Sequence, residues 1–199
     1  MEGKKNLKKR VMAGGVLAAT VGANAYAGNV DVYFQAGFDF GGDEMVEVFF
    51  EDGDSEDIKA GELLYISGGL IIQTAPRLNE NLETQLTIGW KFDSVDGENG
   101  ELSFDRFPLE VLQFVRSGQL RFGGGLTYHL NPKLEGDGFF SDVDVEFDDA
   151  LGGVVQVDFA ATENVLFGGR FTFIDYELEA FDAESIDGNS VGFFVGGRF

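Results

Sequence analysis

The sequence predicts an all-β chain, an eight-stranded antiparallel up-and-down transmembrane β-barrel. Three observations carry that prediction. Apolar and polar residues alternate with period two along most of the chain, as in strands with unlike faces. The connections between the alternating runs are short and long by turns, as in a barrel with tight turns at one rim and loops at the other. The polar side of the alternation carries Asp39, Glu83, Lys91, Glu110, Arg121, Asp158, Arg170 and Arg198. A lipocalin-like barrel or a sandwich would bury its apolar face in a dry core. So many charges on the opposite face suit a polar lumen instead, with the apolar face turned to lipid.

Composition agrees and removes several classes. The chain has 199 residues, no Cys, one His, and 14 basic against 35 acidic side chains. Without Cys there is no disulfide framework and no thiolate metal site. One His makes a His-built zinc centre untenable. A formal charge of −21 opposes nucleic-acid binding, which needs Lys and Arg against phosphate. With 44% hydrophobic residues the chain is no disordered acidic tail.

The first element is an address. Lys4, Lys5, Lys8, Lys9 and Arg10 precede an apolar run from Val11 to Ala23, and Ala25-Tyr26-Ala27 follows as a small-x-small cleavage site. This is the layout of a secretory signal peptide over residues 1–27, leaving a barrel of residues 28–199. The apolar run is too short to span a bilayer as a helix, which takes about 20 residues.

The strands follow in order. Val30, Val32, Phe34, Ala36, Phe38 and Phe40 alternate with Asp31, Tyr33, Gln35, Gly37 and Asp39. In 62–73, Ile66, Leu70 and Ile72 oppose Tyr65, Ser67, Gly69 and Gln73. From Leu82, the face of Leu86, Ile88, Trp90 and Phe92 opposes Glu83, Gln85, Thr87, Lys91 and Asp93. Residues 102–115 are mixed: Phe107, Leu109 and Val111 share one face while Leu112 and Phe114 take the other. With Pro108 among them, that mixture predicts a bulge. Leu120, Phe122, Leu126, Tyr128 and Leu130 oppose Arg121, Gly123, Thr127 and His129. Val155, Val157 and Phe159 oppose Gln156 and Asp158. Val165, Phe167, Phe171 and Phe173 open a seventh run, with a register change expected near Ile174. Val191, Phe193, Val195 and Phe199 form the last, with Phe194 as its exception. At about 9–11 residues per crossing, eight strands leave ample chain for connections. The connections 75–81, 116–118 and 161–163 are short; 41–60, 94–101, 131–147 and 179–189 are long and acidic. Phe38, Phe40, Trp90, Phe92, Phe122 and Tyr128 suit interfacial girdles.

The ending Val191-Gly192-Phe193-Phe194-Val195-Gly196-Gly197-Arg198-Phe199 resembles the C-terminal signature of bacterial outer-membrane proteins, an amphipathic strand closing on a terminal Phe. With the leader and eight strands, the chain resembles the small outer-membrane barrels of the OmpA-like, OmpX-like and OmpW-like group. Gly123-Gly124-Gly125-Leu126-Thr127-Tyr128-His129-Leu130-Asn131-Pro132 looks like a glycine-rich strand of such barrels running into an extracellular loop. The resemblance implies residence in the outer membrane of a Gram-negative bacterium after export through the periplasm. It also implies contact with outer-membrane lipid and lipopolysaccharide, and recognition of Phe199 by the outer-membrane assembly machinery. It assigns no activity.

Site candidates follow from the same faces. The eight lumen charges are expected to pair with one another, because an unpaired charge in low dielectric is costly. An eight-stranded barrel is just wide enough for side chains to fill, which favours a closed interior over a channel. His129 is the one residue that could anchor a Ser-His-acid site of the kind found in lipid A deacylases. The alternation turns it to the lumen, away from lipid, and no Ser lies two residues from it. No catalytic residue is therefore assigned. Asp52, Asp54 and Glu56 are weak candidates for a divalent cation such as calcium, in a segment without the full twelve-residue calcium-loop pattern. A solvated, self-repelling loop is the favoured reading there. No cofactor is expected, and a closed barrel needs no partner to satisfy its backbone, so a monomer is expected. Val46, Val48 and Phe50 alternate with Glu47 and Phe49, which reads as a longer barrel wall or as a projecting hairpin, the wall being favoured. The functional expectation is a non-enzymatic envelope protein, structural or surface-interacting through acidic loops. A narrow pore or conduit for small or hydrophobic compounds is the second reading, a lipid A-modifying enzyme the third.

Overall fold

A computed structural model describes residues 30–49, 55–74, 81–97, 100–178 and 185–199. The leader, Asp52 and Asp54 lie outside the described residues. The strands are β1 (Val30–Phe40), β2 (Glu44–Phe49), β3 (Ser55–Lys59), β4 (Leu63–Gln73), β5 (Leu82–Gly97), β6 (Gly100–Ser117) and β7 (Leu120–Gly138). There follow β8 (Asp144–Glu146), β9 (Ala150–Ala160), β10 (Val165–Phe173), β11 (Asp175–Glu177), β12 (Ser185–Asp187) and β13 (Ser190–Arg198).

Eight of these close on themselves as an antiparallel meander. The ring runs β1, β4, β5, β6, β7, β9, β10, β13 and back to β1. Closure pairs Ala36 with Val195 and Phe38 with Phe193. Val32 and Phe199 then exchange both backbone hydrogen bonds at 2.9 Å, so the terminal residue helps to seal the seam. Closure gives each of the eight ring strands a partner on both sides, which is the condition for a sheet to cross a bilayer.

The faces fall as the alternation predicts. Phe34, Phe38, Ile88, Val111, Phe122, Leu126, Phe167, Phe193 and Val195 point out and are exposed. All eight predicted lumen charges lie on the inside, seven of them buried and Arg198 half-buried. Glycines make room for them: a Cβ at Gly192 would overlap the carboxylate of Asp39. Phe194 is no irregularity. It points inward, and its ring occupies the space above Gly168.

Four expectations need correction. Residues 94–101 and 131–147 are not loops for most of their length, because β5 runs to Gly97, β6 starts at Gly100 and β7 runs to Gly138. Leu112 and Phe114 face inward by unbroken alternation and fill the lumen; no bulge puts them there. The bulge lies higher, where β7 carries one extra residue between the pairs Lys133–Asp105 and Leu130–Phe107, at Asn131 with its positive φ of 50°. Pro108 instead interrupts pairing with β5 around Gly89, as a residue without N–H should. Near Ile174 the chain leaves the ladder with β9, yet Thr172, Ile174 and Tyr176 all stay inward, so no face changes. Finally, β2 and β3 form a separate hairpin and do not lengthen the wall.

Apolar clusters lie toward both ends of the lumen. At the turn end lie Tyr33, Ile71, Ala160 and Leu166, with Leu112, Phe114 and Val154 beside them. At the loop end Val95, Leu102, Phe104 and Leu134 of the wall meet Ile58, Ala60, Phe147, Ile174 and Tyr176. Met45, Val46, Phe140 and Ile186 pack over that cluster.

Candidate functional site

Between and beside these apolar clusters the lumen holds layers of paired charges. Nearest the loop end, Lys91 on β5 sets its Nζ 2.8 Å from Asp39 Oδ2 on β1. The same ammonium donates to the carbonyl of Gly61 at 2.8 Å and to Ser190 Oγ at 3.2 Å. Below it, Arg170 on β10 clasps Glu110 on β6 through both terminal nitrogens. Glu110 Oε2 also accepts from Tyr65 Oη at 3.1 Å and Thr87 Oγ1 at 3.2 Å, and Arg170 lies over the Tyr65 ring. Toward the turn end, Arg121 on β7 bridges Glu83 at 2.8 Å and Asp158 at 2.6 Å, and its guanidinium stacks on Phe114. Arg198 donates to Glu83 at 3.2 Å and through Nε to Asp31 at 2.9 Å. Gln85 and Gln156 complete this layer, accepting from Arg121 and donating to Asp158.

Each of the eight predicted lumen residues is therefore paired within one of three stacked groups. Pairing is what makes the charges tolerable there, since the desolvation penalty of each ion is several kcal/mol (about, per ion). Arg106 is a further lumen cation, which the mixed run 102–115 hides from a reading of faces. It is fully buried on β6, donates to the carbonyls of Phe104 and Glu62, and stacks on the Phe104 ring at 4.3 Å. Period two counted back from Glu110 reaches it, so the signal was present within the mixed run.

His129 is buried, with Nδ1 2.6 Å from the hydroxyl of Tyr176. The Ser190 hydroxyl accepts from Lys91. Among the described residues no group of three or more His, Asp or Glu is arranged to hold a metal ion. Glu56 lies in β3.

Above the band of lipid-facing residues the outer surface turns acidic. Trp90 Nε1 on β5 donates to Asp105 at 2.6 Å and Tyr128 Oη on β7 to Asp149 at 3.2 Å, marking that boundary. Glu101, Glu135, Asp137, Asp144 and Glu146 stand beyond it, on β6, β7 and β8. Lys133 sits among them, 2.8 Å from Glu135 and 3.1 Å from Asp144, and those contacts hold its ammonium above the ordinary lysine range. Asp148, Asp149, Asp175, Glu177 and Asn189 line an open cleft of about 540 Å³ nearby.

An apolar exterior, a salt-bridged interior and a closed ring of eight strands define a class: an integral β-barrel of the outer-membrane type. No protein-family model matches the chain, and no curated protein matches it. Among solved structures it is similar to Ail, the attachment invasion locus protein of Yersinia pestis, in complex with the heparin analogue sucrose octasulfate. That similarity is 11% identity over 86% of this chain and 99% of the other, with a TM-score of 0.53. Neisserial surface protein A matches at 15% identity over 85% of this chain and 97% of its own, with a TM-score of 0.48. The fold of this chain is that of the small eight-stranded outer-membrane barrels.

Proposed function

We propose that this protein is a closed, non-enzymatic outer-membrane barrel that serves the envelope structurally and presents an acidic surface outside the cell. The observation that carries the reading is the layering of paired charges from Asp39–Lys91 through Glu110–Arg170 to Glu83–Arg121–Asp158, with apolar clusters toward both ends. Side chains occupy the bore, so the barrel acts as a rigid stave and its loop end does the meeting. Export by the leader over residues 1–27 and insertion through the terminal strand ending at Phe199 belong to this reading. Lipid and lipopolysaccharide surround the apolar belt. His129 supports no lipid-modifying chemistry in this scheme, because its hydroxyl neighbour is a tyrosine inside the lumen.

Charge sets the class of surface partner. Ail was solved with a polyanionic sugar; here the described loop-end surface is acidic, with Lys133 already engaged by carboxylates. A polyanion would be repelled, and a cationic partner or a divalent ion would be drawn in. Planar-bilayer recording of the refolded protein is the test. Insertion without current steps is the expected result. Discrete steps that change when Arg121 or Glu110 is substituted would replace this reading with the conduit.

A further inference from the structure

The β2–β3 hairpin is joined to the barrel through very little chain. Gly41, Gly42 and Asp43 lead into it from β1, and Ala60, Gly61 and Glu62 lead out to β4. Gly41 and Gly42 take positive φ, 123° and 87°, which L side chains rarely adopt. A Cβ on Gly42 would run into the backbone of Gly61, so the two strands cross here with backbone against backbone. Neither β2 nor β3 pairs with a barrel strand. The hairpin folds over the mouth by its apolar side, with Ile58 and Ala60 fully buried and Met45 and Val46 packed on the same cluster.

Two wall cations reach up to the point where the hairpin returns. Lys91 Nζ donates to the carbonyl of Gly61 at 2.8 Å, and Arg106 donates through a terminal nitrogen to the carbonyl of Glu62. Lys91 has a carboxylate of its own in Asp39. Among the described residues Arg106 has no carboxylate at ion-pair distance, unlike Lys91, Arg121, Arg170 and Arg198, and its Nε has no hydrogen-bond partner. The layers of paired charges do not explain Arg106. It lies against the Phe104 carbonyl and ring and against Tyr176, and it donates to the carbonyl of Glu62 at the hairpin's exit.

We propose that the β2–β3 hairpin is a hinged lid, with Gly41, Gly42 and Gly61 as the hinge and Arg106, assisted by Lys91, as the latch. The lid is a separate cooperative unit. It opens without unpairing the barrel, because its own ladder is independent of the wall and glycines absorb the backbone rotation. Opening lifts Ile58 and Ala60 off the mouth cluster and uncovers the cations beneath. A charge-assisted bond to a carbonyl is strong enough to hold such a unit shut, and removing its donor releases it.

Residue-resolved amide exchange on the full chain in detergent micelles tests this. The lid amides are those of Asp43 and Lys59, the two that bond out of the hairpin, to the carbonyl of Asp187 and to Asp93 Oδ2 on β5. The wall amides are those of β9 between Val154 and Asp158. In Arg106→Gln the lid amides exchange about tenfold faster or more, while the wall amides stay at the wild-type rate. Arg106→Lys, which keeps a cationic donor, restores slow exchange at the lid. Gly42→Val strains the hinge through the Gly61 backbone while leaving the Arg106 side chain in place, and gives the same lid-confined acceleration, so the lid is tested even if Arg106→Gln does not refold. Lid amides unmoved in both Arg106→Gln and Gly42→Val, or lid and wall amides accelerating together, would overturn the proposal.

Discussion

At the scale of single residues, the lumen charges are tolerated in company and intolerable alone. Glu110 accepts from Arg170, Tyr65 and Thr87 at once. Glu110→Ala leaves the Arg170 guanidinium buried without its counter-charge, a loss of about 3–5 kcal/mol in unfolding free energy. Urea unfolding in micelles measures it. The double change Glu110→Leu with Arg170→Leu is expected to recover most of that loss, since a well-packed apolar pair often matches a buried ion pair. Recovery of nothing would show that the pair does more than cancel itself. Gly192 makes a second case. Gly192→Ala forces Asp39 away from Lys91 and lowers stability by about 1–3 kcal/mol, the usual range for overpacking. The eight charges were legible from alternation alone. Their partners were not, because pairing joins residues as distant in sequence as Glu83 and Arg198, brought together by closure.

At the scale of elements, polarity changes sides along a single strand. In β5 the outward residues are Leu86, Ile88, Trp90 and Phe92, then Ser94 and Asp96; the inward ones are Gln85, Thr87, Lys91 and Asp93, then Val95. In β6 outward Glu101, Ser103 and Asp105 give way to Phe107, Leu109 and Val111, while inward Leu102 and Phe104 give way to Arg106 and Glu110. The strand is continuous, but its surroundings change from lipid to water, so the apolar face moves from outside to inside. A reading that follows one apolar face ends the strand at that point, which is why alternation alone gives a loop over 94–101. The same inversion forecasts a measurement. Ile88→Arg, at a residue 60% exposed, costs about 2–4 kcal/mol because the exposure is to hydrocarbon, whereas Asp96→Arg on the same strand changes stability by less than about 0.5 kcal/mol. Similar small effects at both sites would refute the placement of the lipid belt.

At the scale of the molecule, a narrow closed ring with apolar clusters toward both ends predicts silence in a bilayer and an acidic outer face. Binding to a heparin matrix at low ionic strength is expected to fail. Retention there would contradict the acidic loop-end surface as the determinant of partner class. Calcium titration by calorimetry bears on the loops as a whole: a saturable heat would assign them an ion, and heat of dilution alone would leave them as a solvated acidic surface. The strand count and the meander were legible because each strand announces its own faces locally. The lid was not, because β2 alternates as a wall strand would, and only its failure to pair with the ring sets it apart.

The sequence by itself determined the alternation, the inward set of charges, the rhythm of short and long connections and therefore the closed eight-stranded ring. All of these are local: period two is a property of neighbouring residues, and a bilayer allows one sheet topology that leaves no edge unpaired. The tertiary structure decided which charges pair, that Arg106 joins them, that the outer ends of β5, β6 and β7 rise above the membrane, and that the hairpin of β2 and β3 folds over the mouth. Those outcomes depend on which strands the ring places opposite one another across the lumen, and that distance is set only when the barrel closes.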